Sequence, residues 1–81
     1  MIIRVLMFAV LAERTGQREA TLELEENATV GDALRVLEDR HPALREFHSR
    51  LATAVNMVYV RPDQRLATGD ELALIPPVSG G

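Results

Sequence analysis

The chain opens on a two-residue rhythm of apolar and polar positions. From Ile2 to Phe8, the residues Ile3, Val5 and Met7 form an uninterrupted apolar face, while Ile2, Leu6 and Phe8 share their side with Arg4. Side chains alternate across a strand, so the pattern predicts a first strand with Ile3, Val5 and Met7 in the core. Ala9 to Glu13 reads as a short helical turn ended by Thr15-Gly16. Alternation returns from Arg18 to Leu24, with Ala20, Leu22 and Leu24 inward and Glu19, Thr21 and Glu23 outward, as the second arm of a hairpin. The period then lengthens. Val30, Ala33, Leu34 and Leu37 follow the i, i+3, i+4, i+7 spacing of one buried helical stripe. Thr29, with Asp32 three residues on, forms a carboxylate version of the capping box at its start. Pro42 stops this helix, because the residue before a proline is pushed out of α geometry, and opens a second short turn through Phe47.

Ala54 to Val60 predicts a third strand, closed by a Pro62-Asp63 turn. Leu66-Ala67 is a candidate brief strand, and Thr68-Gly69-Asp70 turns the chain into a last strand, Glu71 to Ile75. The order β-β-α-β-(β)-β predicts an α+β fold of the β-grasp (ubiquitin-like) type: a mixed sheet of four to five strands packed on one main helix. The domain is expected over residues 1–75, followed by an extended, flexible Gly-Gly tail over 76–81.

Composition narrows the chemistry. Eighty-one residues with no linker or internal repeat fit one domain, and an apolar fraction of 47% argues against disorder. The absence of cysteine excludes a disulfide framework, a thiolate zinc site, an Fe–S cluster and a cysteine nucleophile, and fits a reducing, cytoplasmic location. All nine basic residues are arginine. Without lysine there is no Schiff-base chemistry, no P-loop chemistry and no side-chain site for isopeptide attachment. A net charge of −3 argues against nucleic acid as a partner. The longest apolar stretch, Val5 to Ala12, is far short of the roughly 20 residues of a membrane span. Met1-Ile2-Ile3-Arg4 reads as the start of a strand rather than of a signal peptide.

Catalytic groups are sparse. His41 and His48 stand seven residues apart across a proline among polar neighbours, and read as surface residues rather than metal ligands. Glu25-Glu26 reads as a solvated strand end, since adjacent strand residues face opposite ways. Ser49 and Ser79 have no identifiable base, and Gly31-Asp32 at a helix start is no phosphate loop. The chain is expected to bind no metal and no cofactor, and not to be an enzyme by itself.

The informative segment is Pro76-Pro77-Val78-Ser79-Gly80-Gly81. Two prolines end strand pairing and favour a stiff, extended exit, and six extended residues reach about 20 Å. Such a tail can thread a narrow channel and present its carboxylate inside another protein. Glycine at the end leaves the terminal carbonyl open to attack. The bland alternative is a frayed terminus. An ionised carboxylate is a poor electrophile, so acyl chemistry requires activation as a mixed anhydride with a nucleotide phosphate, supplied from outside.

Together, Phe8-Ala9-Val10-Leu11-Ala12-Glu13-Arg14-Thr15-Gly16, Ala54-Val55-Asn56, Gly69-Asp70-Glu71 and Ile75-Pro76-Pro77-Val78-Ser79-Gly80-Gly81 resemble, from end to end, the small subunit of molybdopterin synthase. This is the MoaD-type, ubiquitin-like sulfur carrier of the MoaD/ThiS family. The resemblance implies that an E1-like adenylating enzyme uses ATP to activate Gly81, and that a sulfur-donor enzyme then converts the carboxylate to a thiocarboxylate. It implies docking of the tail in the large synthase subunit, in a heterotetramer with paired small and large subunits. There sulfur passes to precursor Z to build the dithiolene of molybdopterin. By this resemblance Gly81 is expected to carry the acyl-adenylate and thiocarboxylate, with Gly80 giving access.

A docking surface follows from the alternation. Phe8 and Ile75 are bulky, apolar and out of phase with the core faces, which points to a partner-binding patch together with Pro76, Pro77, Val78 and Ser79. Tyr59 is a third candidate on a strand of ambiguous alternation. The alternative is that sheet curvature buries these residues at its rim. Three competing functions stand beside the resemblance: a thiamine-type sulfur carrier, a protein-conjugating ubiquitin-like modifier, and an interaction module with an unmodified tail.

Overall fold

In the computed structural model, which describes residues 1–77, the alternating segments become strands of one mixed sheet. β1 (Ile2–Met7) pairs antiparallel with β2 (Glu19–Glu23), and α1 (Val10–Thr15) lies between them in sequence. The main helix α2 (Val30–Arg40) and a 3-10 helix (Pro42–Phe47) follow, then β3 (Ala52–Val55), β4 (Val58–Val60) and β5 (Glu71–Ile75). The strand order is β2-β1-β5-β3-β4. β5 is central, parallel to β1 and antiparallel to β3. This is the β-grasp arrangement the pattern predicts, with five strands.

The core forms where the two periodicities meet. Ile3, Val5, Met7, Leu22, Leu72 and Leu74 on the sheet are buried against Val30, Ala33, Leu34 and Leu37 of α2, with Leu11, Leu44 and Phe47 filling in from the shorter helices. Both halves of the expected capping box are present. Asp32 N–H donates to Thr29 Oγ1 at 3.2 Å, and Thr29 N–H donates to Asp32 Oδ2 at 2.9 Å. α1 is fixed from outside. Arg14 pairs with Glu46 at 2.8 Å, and the Arg14 and Arg50 guanidinium groups both lie over the Phe47 ring, 5.7 and 5.6 Å from its centroid.

Several boundaries differ from the sequence reading. The expected single strand from Ala54 to Val60 is instead a hairpin. Asn56 and Met57 both take left-handed backbone angles, φ +50° and +72°, which reverse the chain between Val55 and Val58. Leu66-Ala67 forms no strand. Its neighbour Arg65 makes one isolated bridge to Thr29, and Leu66 N–H donates to the Ala28 carbonyl at 2.8 Å, burying Leu66 in the core from a loop. β1 stops at Met7 because Ala9 has φ +49°, which turns the chain into α1; that helix runs to Thr15 and ends on a left-handed Gly16. β2 ends at Glu23, so Glu25-Glu26 sits in an exposed turn beyond it. His48 is exposed as expected and contacts Glu38, whereas His41 is half-buried as the residue joining the two helices. No helix among the described residues is long and apolar enough to cross a membrane.

Candidate functional site

The sheet has one face on α2 and one without a helix, and register assigns residues to the second. Leu6 lies opposite Ala73, Ala73 opposite Ala54, and Ala54 opposite Tyr59. Directly opposed residues share a face, so these four form an apolar row across β1, β5, β3 and β4. Tyr59 ends the row 72% exposed. One step toward the tail, Ile75 lies opposite Ala52, and Phe8, 46% exposed, follows β1 at the same end of the sheet. One step the other way, the face turns ionic. Arg4 pairs with Glu19 on one side and with Glu71 at 3.4 Å on the other. The Glu19 hydrogen bond and charge, assisted by Glu71, hold the Arg4 guanidinium pKa above its usual value. The result is an apolar field with a charged border.

The tail leaves this field directly. Ile75 and Pro76 are half-buried and Pro77 is exposed. Beside the exit, Phe8, Ala9, Ala12, Glu13, Gln17 and Arg18 line an open groove between the end of β1 and α1. Val78, Ser79, Gly80 and Gly81, the remaining sequence candidates, lie outside the described residues.

The far end of β5 is anchored by a side-chain clamp that joins two motifs distant in sequence. Asn56 Nδ2 donates to Asp70 Oδ1 at 2.9 Å, and Glu71 N–H donates to Asn56 Oδ1 at 3.0 Å. The other Asp70 carboxylate oxygen accepts from Ala67 N–H at 2.8 Å. These bonds fix the turn through Gly69 (φ +87°) and set the register of the strand that carries the tail. Neither residue was singled out as a site residue, although both stand in the motifs quoted above.

Gly31 acquires a packing role. Its N–H donates to the Pro62 carbonyl at 2.9 Å, and an added Cβ would stand 3.4 Å from that oxygen. Val30 N–H donates to the Gln64 carbonyl at 2.9 Å, so the α2 N-terminus is tied to a neighbouring loop. Among the described residues no group of three or more His, Asp or Glu side chains converges as a metal site.

Sequence reasoning missed Leu6, Ala54 and Ala73. Alanine has no marked amphipathic signature, and its place in the row becomes visible only when register aligns it with Leu6 and Tyr59.

Comparison with known proteins places this geometry. The ThiS family model matches residues 5–81. The molybdopterin synthase sulfur carrier subunit of Chlamydomonas reinhardtii is 43% identical, with 98% of each chain covered. The human protein of the same description is 37% identical, covering 98% of this chain and 93% of its own. The crystal structure of SAMP1 from Haloferax volcanii superposes with a TM-score of 0.89 at 39% identity, covering all of both chains. With a model matched through its last residue, relatives of its own length and a shared fold, the chain belongs to the ThiS family.

Proposed function

We propose that this protein is the sulfur-carrying small subunit of a molybdopterin synthase. One observation carries the reading: a chain related throughout its length to such subunits leaves its central strand through Pro76 and Pro77 beside an apolar field, and its sequence continues from there as Val-Ser-Gly-Gly. β5, hydrogen-bonded on both sides, is a rigid base for the tail. Leu6, Phe8, Tyr59, Ala73 and Ile75, with the buried Ala54 beneath them, offer the surface on which the large subunit seats. Pro76, Pro77, Val78 and Ser79 line the path into that subunit, and Gly80 leaves Gly81 accessible.

In this reading the reactive group is the backbone carboxyl carbon of Gly81. Adenylation by an E1-like partner forms the C–O–P anhydride and releases pyrophosphate. A sulfide donor then displaces AMP to leave the thiocarboxylate directly. A persulfide donor instead displaces AMP to leave an acyl disulfide, which a thiol reductant cleaves to the thiocarboxylate, with the donor thiol released and the reductant oxidised to a disulfide. The thiocarboxylate gives up its sulfur to precursor Z. The carrier contributes an electrophile, a reach and a docking surface, while ATP is bound by the activating partner. A cytoplasmic location fits this partnership.

The test is intact mass spectrometry after incubation with ATP, an activating enzyme and a sulfur source. Replacement of one oxygen by sulfur at Gly81, followed by reversal on mixing with the large subunit and precursor Z, is the expected result. Persistence of free carboxylate under all these conditions would sink the proposal. The likeness to SAMP1, and to a Haloferax volcanii protein described as small archaeal modifier protein 1, favours one second reading, attachment of the tail to protein amines. Conjugates appearing in place of the thiocarboxylate would select it.

A further inference from the structure

Positive φ is unfavourable for a residue with a Cβ, and the chain distributes that strain unevenly. Among the described residues Gly16, Gly69, Asn27 and Asn56 take such angles, and glycine and asparagine adopt them most readily. Ala9, at φ +49°, and Met57, at φ +72°, are the exceptions. Each stands where its turn favours glycine. Leu11 N–H donates to the Phe8 carbonyl at 3.0 Å across Ala9, whose φ +49° and ψ −124° are those of the first central residue of a type II′ turn. Met57 is the second residue of a two-residue hairpin loop with positive φ at both positions, where glycine is the usual choice.

Packing within the chain explains neither side chain. Ala9 is exposed and Met57 is 90% exposed, so a glycine in either place would relieve strain and uncover no core. What these side chains contribute lies outside the fold, and strain of this kind gathers at functional surfaces. Both residues adjoin the outer face of the sheet. Ala9 follows Phe8 and lines the groove beside the tail exit, and Met57 lies two residues before Tyr59. Arg4 is opposite Glu71, and Asn56 N–H donates to the Glu71 carbonyl at 2.9 Å, so the hairpin loop is level with Arg4, five residues from Ala9 along the strands. The strand order sets β1 three spacings from β4. Ala9 and Met57 therefore mark opposite corners of the face, about 14 Å apart across the strands and about 17 Å along them.

One body touching both corners covers Leu6, Phe8, Tyr59, Ala73 and Ile75 between them. It also abuts the corner where the chain leaves the sheet through Ile75 and Pro76, as the body that receives the tail must. A second copy fits poorly by charge. The ionic border sets two carboxylates, Glu19 and Glu71, against the one guanidinium of Arg4, and a copy with the same border and a net charge of −3 meets that excess with more of the same. We propose that Ala9 and Met57 are contact residues, held in strained backbone positions for the sake of their side chains, at opposite corners of a single footprint taken by the large synthase subunit. The inference rests on the proposed function for the identity of that partner.

The test sets binding against stability in the full chain. Ala9→Gly, Met57→Gly and the double variant are melted alone and titrated calorimetrically with the large subunit. Asn27→Gly, in the turn that feeds α2, is the control. Each single variant should melt a few degrees above the natural protein and yet bind more weakly, by about fourfold for the methyl of Ala9 and about tenfold for the longer side chain of Met57. The corners share no neighbours, so the losses should multiply in the double variant. Met57→Leu, which keeps an apolar side chain, should bind within about threefold of the natural chain, and Asn27→Gly should bind equally well.

Glycine variants that bind as tightly as the natural protein would overturn the proposal. So would weaker binding that follows a fall in melting temperature or is shared by Asn27→Gly, since the residues would then act through the fold. A loss confined to one corner would refute the single footprint. A dimer of the natural chain in sedimentation that the glycine variants dissolve would give the face to a second copy instead. A natural chain that does not bind the large subunit overturns the partner, and the proposed function with it, before any variant is compared.

Discussion

Asp32 shows how one side chain sets a helix start and its dependence on pH. Its carboxylate accepts from the Thr29 backbone N–H at 2.9 Å and from Arg35 at 2.6 Å, and in that order these bonds hold its pKa below the usual carboxylate value. A pKa lower in the folded than in the unfolded chain means the ionised form stabilises the fold. That contribution is complete above the ordinary carboxylate range and disappears as pH falls through the lowered folded value. The Asp32→Asn variant should therefore melt below the natural protein at neutral pH, with the difference closing as the solution is acidified; a difference that widens in acid would refute this assignment. Thr29→Ala removes the reciprocal acceptor and should cost about 1 kcal/mol, about 4–8 °C in melting temperature for a domain of this size. On the outer face the expectation reverses. Tyr59 is 72% exposed, so Tyr59→Arg should leave thermal stability within about 0.5 kcal/mol while weakening association with the large subunit, measured by calorimetric titration.

At the scale of elements, the β3–β4 hairpin is where sequence pattern and structure part. Ala54, Val55, Met57, Val58 and Val60 make an almost continuous apolar run, which periodicity reads as one strand. The turn signal was Asn56, a residue tolerant of left-handed angles, but hairpin turns of this kind usually place glycine after it and here Met57 takes that place. Met57 is 90% exposed at φ +72°, so Met57→Gly should relieve strain without losing buried contacts and stabilise the domain by about 0.5–1 kcal/mol, read from chemical denaturation. A neutral or destabilising result would show that the Met57 side chain packs in a way its exposure conceals. Elsewhere the pattern was legible because burial is one-sided. β1, β2, α2 and β5 each place a full apolar stripe on the core, whereas Leu66 is buried singly from a loop and leaves no periodic trace. The same logic divides the site. Phe8 and Ile75 stand out as bulky residues out of phase, Tyr59 stands on a strand whose alternation is ambiguous until register places it, and the flat part of the face is made of alanines whose meaning depends on register.

For the whole molecule, the arrangement separates stability from reactivity. Leu72 and Leu74 of β5 are fully buried between β1 and β3, so the strand that carries the tail is also part of the core. Leu74→Ala should cost about 2–5 kcal/mol and lower sulfur transfer only through loss of folded protein, an effect that cooling should reverse. Deleting Gly81 is the opposite case. The deletion removes the carbonyl proposed as the activated group and no side chain, so sulfur transfer should vanish while the thermal transition stays within error of the natural protein. Moving the carboxylate to Gly80 leaves a glycine end on a tail one residue shorter, which displaces the reacting carbon by about 3.5 Å, enough to take it out of alignment with a sulfur donor or acceptor held by a partner. Adding one glycine makes the complementary displacement with every original residue retained. If both variants melt like the natural chain and neither carries sulfur, tail length is the functional variable; if the extended variant works as well as the natural chain, reach is permissive and docking on the apolar face sets the geometry.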